Sequence, residues 1–430
     1  MSTRAARVAV LAIGVGISVG ISSILFVGCG GAAPENQPAA APAAPVASAA
    51  PKGGQDQTGP YRVDPNWPKP LSQLPGHEKW TWGAVQGIFA ESANRVFVLQ
   101  RGELPELPRP AEKTYPSVGP SLSFPVSAAP FRNASTGINS SPGNQGSDGW
   151  EGWQGKLGVD ARWEHCLIVV DAQGNITEQW TQWDDIFRRP HSVFINPYDA
   201  EKHVWVVDDR QHAVYKFSND GKQLVQTLGI RGEAGTDETH FNRPTFMAWT
   251  PDSTLYVSDG YANTRVVKFD KDGKFLLTWG EKGEPPNDTR PGTFDAVHGV
   301  VFDPETRHVY VTDRSSRRVQ IFDENGKYLD QFVIGNPSTP QVLYASADRH
   351  LWVADNMSSK IIKYDMDGRY LYSWGSGGQW PGAMWNVHGM SVDPDGNLYI
   401  AEVNNGRAQK FIPRPDADKT LLVGPPLRAN

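Results

Sequence analysis

Cysteine is scarce in this sequence, and basic residues are not in excess. The 430 residues include two cysteines, Cys29 and Cys166. Because Cys29 lies at the end of the N-terminal apolar segment, Cys166 has no second cysteine in the folded part with which to form a disulfide. The folded part must therefore be stabilised by packing. Lys and Arg number 41 against 47 Asp and Glu, and loss of an N-terminal segment with Arg4 and Arg7 makes the balance more negative. This charge excludes a general nucleic-acid-binding protein.

The first 29 residues have the pattern of an export signal. Arg4 and Arg7 precede residues 8–27, which carry no charge, as in a secretory signal. The following Gly28-Cys29 resembles a bacterial lipobox, in which Cys29 is lipidated and becomes the new N-terminus, although Phe26 stands where Leu is usual. An uncleaved anchor remains the alternative, since about 20 apolar residues can span a bilayer. In both cases we expect the folded part to be exported and held at the cell envelope, in the periplasm or at the cell surface.

Residues 30–60 are mostly Ala, Pro, Gly and Gln, with almost no large apolar side chain. Such a segment cannot bury enough surface to offset the entropy of ordering, so we predict a disordered linker. The folded domain is predicted to span residues 61–430.

A unit of four short apolar or alternating segments recurs along that domain. Its clearest copy covers residues 297–329, and an Asn-Gly or Asp-Gly pair before the last segment marks a tight hairpin. Copies begin near Gln86, His191, Thr245, His298, Gln341 and His388. A period of about 45 to 55 residues with four strands is typical of a propeller blade, and stacked blades must close into a ring. The sequence therefore predicts an all-β, six-bladed β-propeller, with the segment around Tyr61 supplying a strand to the last blade.

Two features of the repeat bear on the site. An acidic residue ends the second strand in five units, which indicates a structural role as a cap for a turn amide; these residues are Asp208, Asp259, Asp313, Asp355 and Glu402.

The first unit carries an insertion at residues 103–163, rich in Pro, Ser and Gly. Loops of this length are uncommon unless functional or disordered, and we expect this one to lie across the channel mouth that holds the site.

Three histidines occupy the same place in alternate repeats. His191, His298 and His388 open the first strand of blades two, four and six, while Gln86, Thr245 and Gln341 stand there in the other blades. Equivalent points on alternate blades are related by about 120° around the propeller axis, so the three imidazoles should converge. Three nitrogen ligands with an open side describe a catalytic zinc site. The alternative is a set of core histidines bonded to neighbouring blades. The other seven histidines show no such register and are interpreted as loop or surface residues.

Three further residues are predicted at the same mouth. The loop after the second strand should present Arg101 in blade one, Tyr261 in blade three and Arg314 in blade four. Guanidinium groups bind carboxylates in a forked geometry, so two arginines beside a metal suit an anionic substrate. A tyrosine beside them can act as a base.

From about residue 80 to 412 the chain resembles the peptidyl-α-hydroxyglycine α-amidating lyases, which are NHL-like propellers. The most specific stretches are residues 256–265, which read YVSDGYANTR, and 291–294, PGTF, which lead into Val297-His298. The resemblance implies zinc held by His191, His298 and His388, a catalytic Tyr261, and active-site Arg101 and Arg314. It implies cleavage of a carbinolamide C–N bond in a small anionic α-hydroxy amide or peptide-like substrate, which gives an amide and glyoxylate. We expect a monomer.

The chain departs from that family at several positions. A cysteine pair of the animal enzyme is replaced by Asn242 and Ala262, and a methionine near the third histidine by Asn386. Gly389 stands where the animal enzyme has an aspartate that helps hold a structural calcium, which puts that calcium in doubt. Two other functions therefore remain open: an NHL propeller that binds protein or glycan without catalysis, and a lactonase-like hydrolase, which would need carboxylate and Asn ligands for calcium.

Overall fold

The computed structural model describes residues 57–106 and 162–429. The predicted signal segment with Cys29, nearly all of the linker and most of the insertion lie outside the described residues. Within the described ranges, helical structure is limited to short 3-10 turns at Leu71–Gln73, Thr181–Ile186 and Lys419–Leu421. In these ranges no helix has the length and apolar character needed to span a membrane.

The strands form six four-stranded antiparallel sheets, as the repeats predicted. Blade one contains β2 (Trp80–Ser92), β3 (Arg95–Pro105), β4 (Leu167–Val170) and β5 (Ile176–Gln179). Blade two contains β6 (Pro190–Ile195), β7 (Val204–Asp208), β8 (Ala213–Phe217) and β9 (Leu224–Leu228). Blade three contains β10 (Pro244–Trp249), β11 (Leu255–Asp259), β12 (Arg265–Phe269) and β13 (Phe275–Trp279).

The second half of the ring repeats this plan. Blade four contains β16 (Val297–Asp303), β17 (His308–Asp313), β18 (Arg318–Asp323) and β19 (Tyr328–Val333). Blade five contains β20 (Pro340–Ser346), β21 (His350–Asp355), β22 (Lys360–Asp365) and β23 (Tyr370–Trp374). Blade six contains β24 (Val387–Val392), β25 (Leu398–Glu402) and β26 (Arg407–Pro413), and its outer strand is β1 (Tyr61–Asp64). A short parallel pair, β14 (Glu281–Lys282) and β15 (Thr293–Phe294), links blades three and four.

The two ends of the chain close the ring. Strand β1 pairs antiparallel with β26, with Tyr61 opposite Pro413, which confirms the strand predicted from the segment around Tyr61. The innermost strands contact those of the neighbouring blades all round the ring, including β24 with β2. A propeller closed in this way leaves no blade with a face uncovered.

Burial follows the distance of each strand from the axis. Innermost strands such as β10 and β24 are buried at every residue, whereas the outer strand β13 alternates between half-buried and exposed residues. An inner strand faces the channel and two neighbouring blades, so every side chain is covered. An outer strand has one face in water, which produces the alternation.

The five acidic residues at the ends of the second strands are caps, as predicted. Each accepts a hydrogen bond from a backbone N–H in the turn before its blade's first strand, for example Asp208 from Arg189 and Asp259 from Asn242. In blade one Gln100 takes this role, accepting from the N–H of Gly83 at 3.0 Å. Side chains at the ends of the second strands thus fix the turns that precede the first strands. Strand β3 continues to Pro105, so Arg101 lies within this strand and not in the loop after it, where it was predicted.

Candidate metal centre and active site

The three histidines of alternate blades meet at the propeller axis. His191, His298 and His388 begin the inner strands of blades two, four and six, and their side chains are almost fully buried. Their ring centroids are 5.1, 4.6 and 5.0 Å apart, nearly an equilateral triangle. The structure therefore brings together the three residues that the sequence singled out.

Each imidazole is oriented by the blade that follows it. The Nδ1–H of His191 donates to the carbonyl oxygen of Thr245 at 2.8 Å, and that of His388 donates to Gln86 at 2.9 Å. His298 makes the same bond to Gln341. The acceptors are the residues that replace histidine in blades one, three and five. Because Nδ1 holds the proton, the Nε2 lone pairs are left for another partner.

The surroundings keep these imidazoles neutral. Burial lowers the pKa of all three well below the usual value, to about 3 for His388. The positive charges of Arg101 and Arg314 near the cluster lower the pKa values further. Neutral imidazole is the form that binds a metal ion.

The cluster fits a metal ion. One ligand atom from each histidine lies within 4.8 Å of the other two, and zinc–nitrogen bonds of about 2.0–2.1 Å need separations somewhat shorter than that. The carbonyl acceptors at Nδ1 match the outer partners that ligating histidines normally have. These residues fit zinc, and three ligands leave a position open for substrate.

Tyr261 reaches this cluster from blade three. Its hydroxyl lies 3.0 Å from Nε2 of both His191 and His298. The turn before it approaches the next blade closely, because a Cβ on Gly260 would lie 1.7 Å from the carbonyl oxygen of Val297. Only glycine fits there, so the close approach that carries Tyr261 to the axis depends on Gly260.

The two arginines are held by the side chains of two of the residues whose carbonyls orient the histidines. Arg101 donates from a terminal nitrogen to Oε1 of Gln86 at 2.8 Å. Arg314 donates to Oε1 of Gln341 at 3.1 Å and to the hydroxyl of Tyr261 at 3.2 Å. Burial, followed by repulsion from Arg189, lowers the pKa of Arg101 to about 9, so it still carries its charge at neutral pH. The Arg101 and Arg314 side chains can thus present positive charge to an anion near the axis.

Sequence reasoning missed three charged residues at this mouth. The guanidinium carbons of Arg243 and Arg189 lie 4.8 and 5.8 Å from the centroid of the Tyr261 ring. Both contact Asp209, which is buried, at 2.9 and 3.3 Å. A signal was available, because Arg189-Pro190 and Arg243-Pro244 stand at the same register before two inner strands. These groups add positive charge around the tyrosine.

On the side of the histidines where Phe246 lies, the channel is apolar. The Phe246 ring packs against all three imidazoles, with centroid distances of 5.4, 4.9 and 5.8 Å. A cavity of about 160 Å³ continues from Phe246 along the inner strands to the C-terminal Leu427, whose N–H donates to Ala345 at 2.9 Å. Of the site residues described above, His388 lines this cavity, whereas Tyr261, Arg101 and Arg314 do not.

The remaining histidines were predicted to lie in loops or at the surface, and three of those that lie in loops are buried. His77, His165 and His203 are buried, with 7, 3 and 8% of their surface exposed. His77 and His165 contact a buried carboxylate, Glu103. Their contacts lie outside the repeated part of the blade, so no register marked them.

Comparison with known proteins gives relatives by sequence. The chain is 34% identical over 170 residues to peptidylglycine alpha-amidating monooxygenase of Rattus norvegicus, covering 38% of this chain and 16% of the relative. It is 28% identical over 269 residues to peptidyl-alpha-hydroxyglycine alpha-amidating lyase 1 of Drosophila melanogaster, covering 58 and 48%. It is 33% identical over 156 residues to NHL repeat-containing protein 3 of Homo sapiens, covering 34 and 43%. The chain thus spans less than half the length of these relatives.

The sequence matches no family model. Among solved structures, virginiamycin B lyase from Staphylococcus aureus matches with a TM-score of 0.44 and 12% identity, over 82% of this chain and 99% of that chain. These values are too low to support a conclusion about function. The sequence relatives, together with the six blades, support the resemblance to the amidating lyases and NHL repeat proteins.

Proposed function

We propose that this chain, a propeller similar in sequence to the amidating lyases, is a zinc-dependent lyase that cleaves a carbinolamide C–N bond to give an amide and glyoxylate. The observation that carries the proposal is the position of the Tyr261 hydroxyl, 3.0 Å from Nε2 of two of the three clustered histidines and 3.2 Å from Arg314. A base, a cationic donor and a metal-ligand set thus share one mouth. The name of the Drosophila relative, an alpha-amidating lyase, agrees with this chemistry.

In this proposal Arg101 and Arg314 bind the substrate. A small α-hydroxy amide or peptide-like substrate carries a carboxylate, which Arg101 and Arg314 can hold with charge-assisted hydrogen bonds. Gln86 and Gln341 fix the two guanidinium groups from the sides. Orientation of this kind places the α-hydroxyl at the open side of the histidine cluster.

Proton movement falls to Tyr261. A zinc ion held by His191, His298 and His388 would supply Lewis acidity that makes the α-hydroxyl a better acid. In its phenolate form, Tyr261 takes the hydroxyl proton and delivers it to the amide nitrogen as the C–N bond breaks and the C–O bond becomes a double bond. Arg314 donates to the phenolic oxygen and so stabilises the negative charge of the phenolate. Atoms and electrons balance without a redox cofactor.

We also propose that this site works outside the cytoplasm, in a monomer attached to the envelope through lipidated Cys29 or an uncleaved anchor. The support is the apolar segment at residues 8–27 and the Gly28-Cys29 pair. Labelling with a radioactive fatty acid tests the lipid, and Cys29→Ser should abolish the label.

The experiment that tests the activity uses zinc-loaded protein and α-hydroxyhippurate. We expect glyoxylate and benzamide in equal amounts, and a loss of roughly 10²- to 10⁴-fold in kcat for Tyr261→Phe, the range for removal of a general acid–base. Tyr370→Phe is the matched control, because Tyr370 is 59% exposed on the outer strand of blade five. Metal-loaded protein without turnover, or an active Tyr261→Phe, would contradict the proposal.

A further inference from the structure

A second group of potential metal ligands lies in blade one. His77, Glu103 and His165 are all buried, and one ligand atom from each lies within 4.8 Å of the others. Glu103 belongs to the far part of β3, His77 precedes β2, and His165 precedes β4. None of the three is an axial ligand, and the proposed lyase chemistry does not use them.

The three side chains are arranged around the carboxylate. Nδ1 of His77 lies 2.8 Å from one Glu103 oxygen, and Nδ1 of His165 lies 2.6 Å from the other. The two rings meet edge to face, with centroids 4.6 Å apart. Two imidazole nitrogens and a carboxylate form a donor set that zinc and other divalent transition metals bind in proteins.

Outer contacts hold these groups in place. Nε2 of His165 lies 2.7 Å from the side-chain oxygen of Gln179, which leaves Nδ1 facing the carboxylate. A ligating histidine normally has such a partner at its second nitrogen. The backbone N–H groups of His165 and Cys166 each donate to Asp184 at 2.9 Å. The positions of the ligands are therefore fixed by contacts other than those to a metal.

The alternative to a metal ion in this group is a proton on Nδ1 of each histidine, hydrogen-bonded to Glu103. With Nδ1–H donated to Glu103 and Nε2–H donated to Gln179, His165 would be an imidazolium ion beside a carboxylate that water does not reach. Burial of such a pair costs several kcal/mol per ion before their attraction is counted. When a divalent ion binds all three groups, His165 releases its Nδ1 proton and the proton of His77 lies on Nε2. The N···O separations then open to roughly 3.3 Å, the spacing of tetrahedral zinc ligands.

We propose that His77, Glu103 and His165 form a second, structural metal site that takes a divalent transition-metal ion, zinc in the first place. It fastens β3 to the chain that returns before β4, where Glu103 and Arg162 already exchange backbone hydrogen bonds of 2.7 and 3.0 Å. A buried metal site of this kind contributes to folding free energy rather than to turnover.

Metal counting on the full-length protein tests the proposal. The protein is stripped with chelator, loaded with Zn²⁺, freed of excess by gel filtration and analysed by mass spectrometry. We expect about two zinc ions in the wild type and about one in Glu103→Gln, which keeps the shape but removes the charge, with glyoxylate release retained. His298→Ala should also hold about one, without turnover, and the double variant none. His308→Ala, outside both groups, should match the wild type.

A second readout covers variants that fold poorly. In the His298→Ala background, Co²⁺ should give visible d–d absorption and raise Tm, and both effects should disappear when His77→Ala is added. One zinc ion in the wild type, unchanged in Glu103→Gln, would overturn the second site and leave a proton-bridged cluster. Because His298→Ala alone removes the axial ion, a failure of the lyase proposal leaves this result readable.

Discussion

The most informative perturbation at the mouth is Gln341→Met, which separates metal binding from substrate binding. The backbone carbonyl of Gln341 accepts from His298, whereas its side-chain oxygen accepts from Arg314 at 3.1 Å. Methionine keeps the length of the side chain and leaves the carbonyl in place. The variant should therefore retain zinc and lose the side-chain hydrogen bonds to Arg314 and Asn386.

The expected loss of activity follows from the hydrogen bond between Gln341 and Arg314. A hydrogen bond to a charged group contributes about 1.5–3 kcal/mol, so kcat/KM for α-hydroxyhippurate should fall roughly ten- to a hundredfold. The loss should depend on Arg314: in an Arg314→Ala background, Gln341→Met should change little. Asn386→Ala serves as the control, because Gln341 also donates to Asn386 at 2.7 Å.

Two measurements decide this prediction. Zinc content per chain should equal that of the wild type, and the Kd for glyoxylate, measured by calorimetry, should weaken in step with kcat/KM. Loss of zinc in Gln341→Met would show that the side chain, not the carbonyl, supports His298. Full additivity with Arg314→Ala would refute the coupling.

Other parts of the structure give further predictions. Gly260→Ala should lower kcat by about a hundredfold, since the added Cβ meets backbone at 1.7 Å and must displace Tyr261; unchanged kinetics would contradict this packing. Phe246→Ala, which empties the floor under the imidazoles, should lower the free energy of unfolding by about 3–5 kcal/mol in urea titrations, and a loss below 1 kcal/mol would be inconsistent with a packed floor. Although burial alone raises the pKa of Asp303, the forked bonds from Arg349 lower it. The pair should therefore stabilise the fold above about pH 4 and lose its effect as the pH falls further, so the Tm deficit of Arg349→Met should shrink in acid; a constant deficit would argue against it.

The repeated parts of the structure could be predicted because a propeller imposes one register on every blade. The positions of His191, His298 and His388 in alternate blades were enough to predict convergence at the axis. The same register places Tyr261 and Arg314 in the turns after the second strands. In the structure Tyr261 contacts the imidazole of His298, and Arg314 contacts Tyr261.

The contacts between blades could not be predicted in the same way. That the carbonyl of Gln86 orients His388 depends on how blades one and six pack, across more than 300 positions of sequence. Glu103 and its two histidines lie outside the repeating pattern, in a part of blade one that has no counterpart for comparison. Local sequence gives no information on such pairs.

The central claim is a single metal ion held on the propeller axis by His191, His298 and His388. Crystals of zinc-loaded protein, measured on both sides of the zinc absorption edge, test it directly. We expect an anomalous peak about 2.0–2.1 Å from each Nε2, with the Tyr261 hydroxyl at its open side. Absence of a peak at this position, or imidazoles whose Nε2 atoms face away from the axis, would contradict it.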